Sequence, residues 1–287
     1  MSALALDPRL HAARPDLADR RLEGRVAAER FVEGVPATVA VAVADLRRAP
    51  SPGAPLETQA LFGEPILVFE ETGEGWSWVQ LGRDGYVGWM PSIAFLPGEG
   101  GAPTHRVAVP RTLVFPGPDI KQPPMGDLPL GATVRARGEA SDRNAAYVLV
   151  EPFGAVVQQH LAPIGEPAAD FVAVAAGFLG VPYLWGGKSA LGIDCSGLVQ
   201  LSLEAAGHAA PRDTDLQFAG LGTALASDEP PRRGDLVFWP GHVGIMLDAD
   251  RLLHANAHHM MTAVEPLADA VARMEAKGVP VSGRRRL

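Results

Sequence analysis

Punctuation narrows the fold more than any other feature of this chain. From residue 36 to 163 the sequence is a series of short β-type runs broken by turn signals, and its 26 prolines and 32 glycines fall unevenly over 287 residues. Runs at 39–43, 66–69 and 76–81 read as strands, and the last largely alternates apolar and polar residues, as a half-buried strand does. Asp84-Gly85 is a turn pair leading into another run at 86–90. Segment 46–50 loosely matches 109–113, and 63–68 matches 131–136. Two β modules of roughly 60 residues each fit this spacing, at 36–98 and 99–163, after an N-terminal extension of residues 1–35.

The texture changes after Glu166-Pro167. Phe171, Val174, Ala175, Phe178 and Leu179 lie on one stripe of a helix expected to start near Pro167 and stop at Gly180. Gly186-Gly187 marks a turn. Cys195 then opens a second helical run, 196–206, closed by Gly207. Strands are expected at 236–239, 242–247 and 252–255. Helix followed by strands in one segment implies an α+β domain over 164–287.

Apolar residues make up 47% of the chain, enough for packed cores, and the net charge of −8 argues against a nucleic-acid partner. The basic cluster Arg284 to Arg286 reads as a solvated tail. No run is long enough for a membrane span, and the first residues lack a basic region followed by an apolar one. A cytoplasmic location is the expectation. The single cysteine allows no internal disulfide, which agrees with it.

In Asp194-Cys195-Ser196-Gly197, the cysteine stands where a loop becomes a helix. The partial positive charge and free N–H groups of a helix start favour a thiolate, lower the thiol pKa and offer an oxyanion site. A base is available if residues 241–255 form a hairpin centred on Asp248. His242 then faces His254, with Cβ atoms roughly 4.5–5.5 Å apart. One imidazole would act as base and the other would fix its tautomer, with Gly241 and Gly244 leaving room. The competing readings are a small buried cysteine and a Cys/His metal site. The metal reading lacks a second thiol, close ligand spacing and an H-E-x-x-H motif. His258 and His259, adjacent on a strand, would point opposite ways. No metal or other cofactor is expected.

Several blocks then occur in the order seen in NlpC/P60 peptidases. They are Tyr183-Leu184-Trp185-Gly186-Gly187, Asp194-Cys195-Ser196-Gly197, Arg212-Asp213-Thr214 with Gln217, Gly234-Asp235-Leu236-Val237-Phe238, Gly241-His242-Val243-Gly244-Ile245 and Leu253-His254-Ala255. The resemblance covers about 165–287 and implies a papain-like α+β domain with Cys195 as nucleophile, His242 as base and His254 as its orienting partner. Leu61-Phe62-Gly63-Glu64 and Asp84-Gly85-Tyr86-Val87-Gly88-Trp89 resemble bacterial SH3 modules, so two small SH3-like β-barrels are expected ahead of the catalytic domain. The subgroup with this layout cleaves the γ-D-glutamyl–L-diamino acid bond of small muropeptides with a free L-alanine amine, in cell-wall recycling. By resemblance, Glu64, Tyr86, Tyr183, Trp185, Asp194, Ser196, Asp213 and Thr214 are the candidates for binding that substrate. An ammonium needs carboxylate partners, which Glu64, Asp194 and Asp213 would supply, although an Asp before a helix is often a cap. Tyr183 is a further candidate for holding the oxyanion, Trp185 and Tyr183 read equally well as core residues, and Asp235 reads as closing a turn. Alternatives left open are an exported hydrolase of intact wall, an acyltransferase and a wall-binding protein. The oligomeric state is open, with a monomer favoured.

Overall fold

A computed structural model describes residues 6–287. Two compact units are formed, one by residues up to Val107 with Thr112–Ile164, the other by Ala108–Arg111 with Gly165–Leu287. Among the described residues, no helix is long and apolar enough to cross a membrane.

The first unit opens with a seven-stranded sheet of β1 (Val35–Val39), β2 (Val43–Arg47), β3 (Leu56–Leu61), β4 (Pro65–Glu71), β5 (Trp76–Leu81), β6 (Val87–Pro91) and β7 (Phe95–Pro97). Their order is β3-β2-β6-β5-β4-β1-β7. The expected continuous run at 39–43 is in fact broken: β1 ends at Val39 and β2 begins at Val43, with a bend between them. Val39, Leu46, Ile66, Leu81, Tyr86 and Met90 close the core of this sheet. Residues of the N-terminal extension pack onto it. Ala12 and Leu17 join Phe69 and Trp78, and the Arg14 guanidinium stacks 4.3 Å from the Trp78 ring.

Residues 105–163 add β8 (His105–Val107), β9 (Arg111–Phe115), β10 (Gly126–Pro129), β11 (Thr133–Val134), β12 (Ala136–Ser141), β13 (Ala146–Val150), β14 (Ala155–Val157) and β15 (Leu161–Pro163). They form two sheets, ordered β10-β9-β14-β13-β12 and β11-β8-β15. Each series ends alike, with a strand, a 3₁₀ turn (Ser92–Ala94 or Gln158–His160) and a short strand.

The second unit contains α1 (Phe171–Ala176), α2 (Cys195–Ala205), α3 (Thr214–Gly220) and α4 (Leu267–Glu275). Its sheet comprises β16 (Thr223–Ala224), β17 (Leu236–Trp239), β18 (His242–Met246), β19 (Arg251–Asn256), β20 (Met261–Pro266) and β21 (Gly283–Arg286), in the order β16-β21-β17-β18-β19-β20. Helix α1 is shorter than its apolar stripe suggested. The Asp170 carboxylate accepts from the Val172 and Ala173 N–H groups and fixes the start, the helix stops at Ala176, and Leu179 is exposed. Helix α2 is buried apart from Glu204 and packs against α1, β18 and β19. Helix α4 lays Leu267, Val271 and Met274 against Val237, Trp239, Met246 and Leu252. The C-terminal arginines are not a solvated tail. As β21 they pair with β17, and Arg286 binds Asp235 through Nε at 2.7 Å and also pairs with Glu229. Asp235 does close a turn, accepting from the Arg232 N–H at 2.8 Å.

Candidate active site

Cys195 is the first residue of α2, and the site is built around its cap. The Asp194 carboxylate accepts from the Gly197 N–H at 2.7 Å through Oδ1 and from the Gly186 N–H at 2.8 Å through Oδ2. Arg212, 1% exposed, closes the same carboxylate in a fork, with Nη1–Oδ1 at 3.0 Å and Nη2–Oδ2 at 2.6 Å. Arg212 Nη1 also donates to Ser196 Oγ at 2.8 Å, and Ser196 Oγ donates to Asp194 Oδ1 at 3.4 Å. Gln217 Nε2 donates to the Ser196 and Pro211 carbonyls, both at 2.9 Å, tying α3 to the first turn of α2. Two glycines are required here by close approach. A Cβ on Gly187 would meet the Gly192 carbonyl oxygen at 2.4 Å, and one on Gly197 would meet the Gly187 oxygen at 2.5 Å.

Asp194 and Ser196 are 6% and 5% exposed, and their polar atoms are committed to the cap and to Arg212. They position α2. The helix start pulls the Cys195 thiol down, as expected, but that pull is outweighed. Burial, and then the Asp194 charge, push it up to about 12, against the opposing pull of the Val243 N–H, Arg212 and the Ser196 N–H. The Val243 amide directed at this sulfur belongs to the residue that follows His242.

His242 opens β18 because the β17–β18 hairpin is tight. Trp239 pairs with His242, and Pro240-Gly241 fill the turn with Gly241 at φ 72°. The next hairpin differs in register from expectation. Ile245 pairs with Leu253 and Met246 with Leu252, which centres the loop on Ala249. Asp248 causes the shift: its Oδ1 accepts from the Asp250 and Arg251 N–H groups, and the Leu247 N–H closes onto the Arg251 carbonyl. Extending that count puts Gly244 opposite His254 and His242 on the diagonal. A two-residue shift keeps both side chains on one face, and diagonal neighbours remain within reach of long side chains. His242 Nε2 and His254 Nδ1 are 2.8 Å apart.

Behind them lie two residues that the sequence reading missed. His254 Nε2 is 2.8 Å from Glu265 Oε1, and Arg273 Nη1 donates to Glu265 Oε2 at 2.7 Å. Burial and then the His254 charge take His242 down to about 3, and burial takes His254 down to about 4. Burial pushes the Glu265 carboxyl up, but Arg273 and His254 together hold it below the usual carboxylate range. Near neutral pH the resting site therefore holds a thiol, two neutral imidazoles and, behind them, the Glu265 carboxylate. Such a set can pass the thiol proton to an imidazole as sulfur attacks.

His258 and His259 lie in the turn after β19 rather than on a strand, and the His259 ring comes 6.4 Å from that of His254. Ligand atoms of His254, His259 and Glu265 fall within 4.8 Å of one another, a spacing a metal ion can use. His254 Nε2 and Glu265 Oε1 are already joined by a hydrogen bond. Tyr183 is half-buried, and its hydroxyl is pushed up by burial and then by the charges of Cys195 and Asp194, so it is a neutral donor beside them. Trp185 is 63% exposed, which removes the reading of it as core. Asp213 and Thr214 are half-buried at the start of α3, and the Asp213 side chain does not cap that helix. In the first unit, Tyr86 belongs to the core of the sheet, and Glu64 is fully buried. Glu64 Oε2 accepts from the Leu61 N–H at 3.2 Å, while Oε1 has no hydrogen-bond partner among the described residues.

Residues 46–95 match the bacterial dipeptidyl-peptidase SH3 domain, and residues 180–275 match the NlpC/P60 family. A γ-D-glutamyl-L-lysine dipeptidyl-peptidase of Bacillus subtilis is 30% identical over 228 residues, covering 70% of this chain and 72% of that protein. Dipeptidyl-peptidase 6 of Lysinibacillus sphaericus is 27% identical over 238 residues, 77% of this chain and 87% of that protein. The crystal structure of an NlpC/P60 family protein from Bacillus cereus shares the fold, with TM-score 0.73 and 23% identity over 88% of this chain and 99% of that one.

Proposed function

Because the chain belongs to the NlpC/P60 family of cysteine peptidases, we propose that it hydrolyses the γ-D-glutamyl–L-diamino acid bond of small muropeptides whose L-alanine amine is free. Cys195 is the nucleophile, His242 the base and His254 its orienting partner in this reading. The relatives named as γ-D-glutamyl-L-lysine dipeptidyl-peptidases support the bond and the peptide class. The observation that carries amine selection is Glu64, a fully buried carboxylate with one oxygen unsatisfied among the described residues. A buried carboxylate left short of a donor is costly, and a ligand ammonium supplies the missing charge and N–H groups. By resemblance, Tyr86, Tyr183, Trp185, Asp194, Ser196, Asp213 and Thr214 are the further binding candidates.

The reaction runs in four steps. The Cys195 proton passes to His242 as sulfur attacks the γ-glutamyl carbonyl carbon. N–H groups at the start of α2 and the Tyr183 hydroxyl hold the oxyanion. Collapse breaks the C–N bond while His242 returns the proton to the leaving amine. Water, deprotonated by His242, then opens the thioester, releasing L-Ala-D-Glu and restoring the thiol. These steps use no metal or organic cofactor. We further read residues 99–163 as a second SH3-like module ahead of a catalytic domain at 164–287. If β4 of the first module corresponds to β11 and β12 together, the strand orders of the two modules coincide, which supports that reading.

The test is mass spectrometry of L-Ala-γ-D-Glu-diaminopimelate, its N-acetylated copy and the Cys195→Ala variant. Release of L-Ala-D-Glu from the free peptide alone, lost in the variant, is expected. Equal cleavage of the blocked peptide refutes amine selection and favours a hydrolase of intact wall. Cleavage of neither refutes the peptidase reading and points to transfer chemistry.

A further inference from the structure

Behind His254 lies a line of buried polar groups that the three catalytic roles do not use. Glu265, 8% exposed, pairs with Leu252 across β19–β20, two residues from His254 and on the same sheet face. Its Oε1 is 2.8 Å from His254 Nε2. Arg273, from α4 on that face, holds both carboxylate oxygens, Oε2 through Nη1 at 2.7 Å and Oε1 through Nη2.

A carboxylate forked by a guanidinium is ionised and only accepts hydrogen bonds. Glu265 Oε1 therefore receives the Nε2–H of His254. A neutral imidazole carries one N–H, so His254 Nδ1 is left as an acceptor. At 2.8 Å from His242 Nε2, it takes the Nε2–H of His242, and the lone pair of His242 falls on Nδ1.

We propose that Glu265, held by Arg273, is a positioning residue that sets the tautomer of both imidazoles and leaves His242 Nδ1 as the base. The proposal rests on the reading of His242 as base in a peptidase. Its competitor is that the Glu265–Arg273 pair only ties α4 to the sheet.

Glu265→Gln separates the two, because it keeps the shape and reverses the hydrogen-bond sense. Beside Arg273 the amide oxygen turns to the guanidinium, and the amide NH₂ faces His254. His254 Nε2 must then accept, its proton moves to Nδ1, and His242 is forced to carry its proton on the nitrogen that has to be basic. A wrong tautomer costs about 10⁴-fold in serine-protease triads, and partners one shell out cost about 10–100-fold. A loss of about 100-fold in kcat, with KM little changed, is expected here. Arg273→Met frees Glu265 to protonate, so its acid limb moves to higher pH. The titratable and charged groups around Glu265 in that titration are His242 on β18, His254 on β19, His259 in the following turn and Arg273 on α4, with Asp269 acting on Arg273.

The experiment is kcat and KM of the full chain on the free tripeptide, with ¹⁵N imidazole NMR of the wild type and both variants. Nε2–H tautomers of His242 and His254 in the wild type, moving to Nδ1–H in E265Q along with the loss of kcat, are expected. A wild-type His254 protonated on Nδ1, or E265Q turning over at the wild-type rate, overturns the proposal. Should a variant fail to fold, the wild-type spectrum alone decides. Should the wild type cleave nothing, the peptidase reading fails while the spectrum still judges the tautomers.

Discussion

Replacing Arg212 with methionine tests the geometry that presents Cys195. The long stem is kept, while the fork onto Asp194 and the bond to Ser196 Oγ are removed. Breaking a buried ion pair from one side costs about 3–5 kcal/mol, because the remaining charge stays buried. Asp194 keeps the Gly186 and Gly197 N–H groups, so the low end applies, about 3 kcal/mol. For a unit of this size that is a fall of about 10 °C in Tm. Calorimetry reads it, and hydrogen exchange of the α2 amides localises it to the second unit. Asp194→Asn on top of Arg212→Met neutralises the stranded charge while keeping an oxygen to cap α2, so the double variant is expected to be more stable than R212M. The thiol gives an independent readout. Asp194 raises the Cys195 pKa and Arg212 lowers it, so iodoacetamide should react more slowly with R212M than with wild type at pH 8. A cost below about 1 kcal/mol, or a double variant no better than R212M, would refute the inference that this pair organises the helix start.

Acid should destabilise the fold through the two imidazoles. Their folded pKa values of about 3 and about 4 lie below the ordinary 6.5, so between those values the unfolded chain binds more protons. Stability is complete above about pH 7 and falls as pH drops through 6.5, by up to about 1.4 kcal/mol per unit for each histidine; a Tm that stays flat from pH 7 to 5 would contradict this. Gly197→Ala should destabilise the chain and impair turnover, although alanine favours helices by about 1 kcal/mol. Its Cβ would sit 2.5 Å from the Gly187 oxygen and 2.9 Å from Asp194 Oδ1, so a gain in Tm would count against the tight cap. Trp185→Ala removes a side chain that is 63% exposed, so Tm should hold while KM rises about fivefold to tenfold if the ring covers substrate. An unchanged KM removes Trp185 from the binding set.

What the sequence made legible was set by local signals, and what it hid was set by distant partners. The expected helix 196–206 lies one residue from the observed Cys195–Ala205, because its ends are written in adjacent residues: Asp194 caps the start, and Gly207 takes φ 84° after the end. Strand 236–239 was legible for the same reason, its end fixed by Pro240-Gly241. The hairpin register was not, because the side chain of Asp248 bends the loop by accepting two backbone N–H groups, and periodicity cannot show that. The error shifted the pairing by two residues and therefore left His242 and His254 on one face, so the expected imidazole–imidazole contact formed in spite of the different register. Glu265 and Arg273 left no motif at all. Glu265 joins His254 only through the β19–β20 pairing, and Arg273 joins Glu265 only because α4 folds back over the sheet. The C-terminal arginines fell to the same limit. Arg286 looks like a tail until β21 carries it to Asp235, 51 residues earlier in the chain, where it neutralises a buried acid beneath the strand that leads to His242.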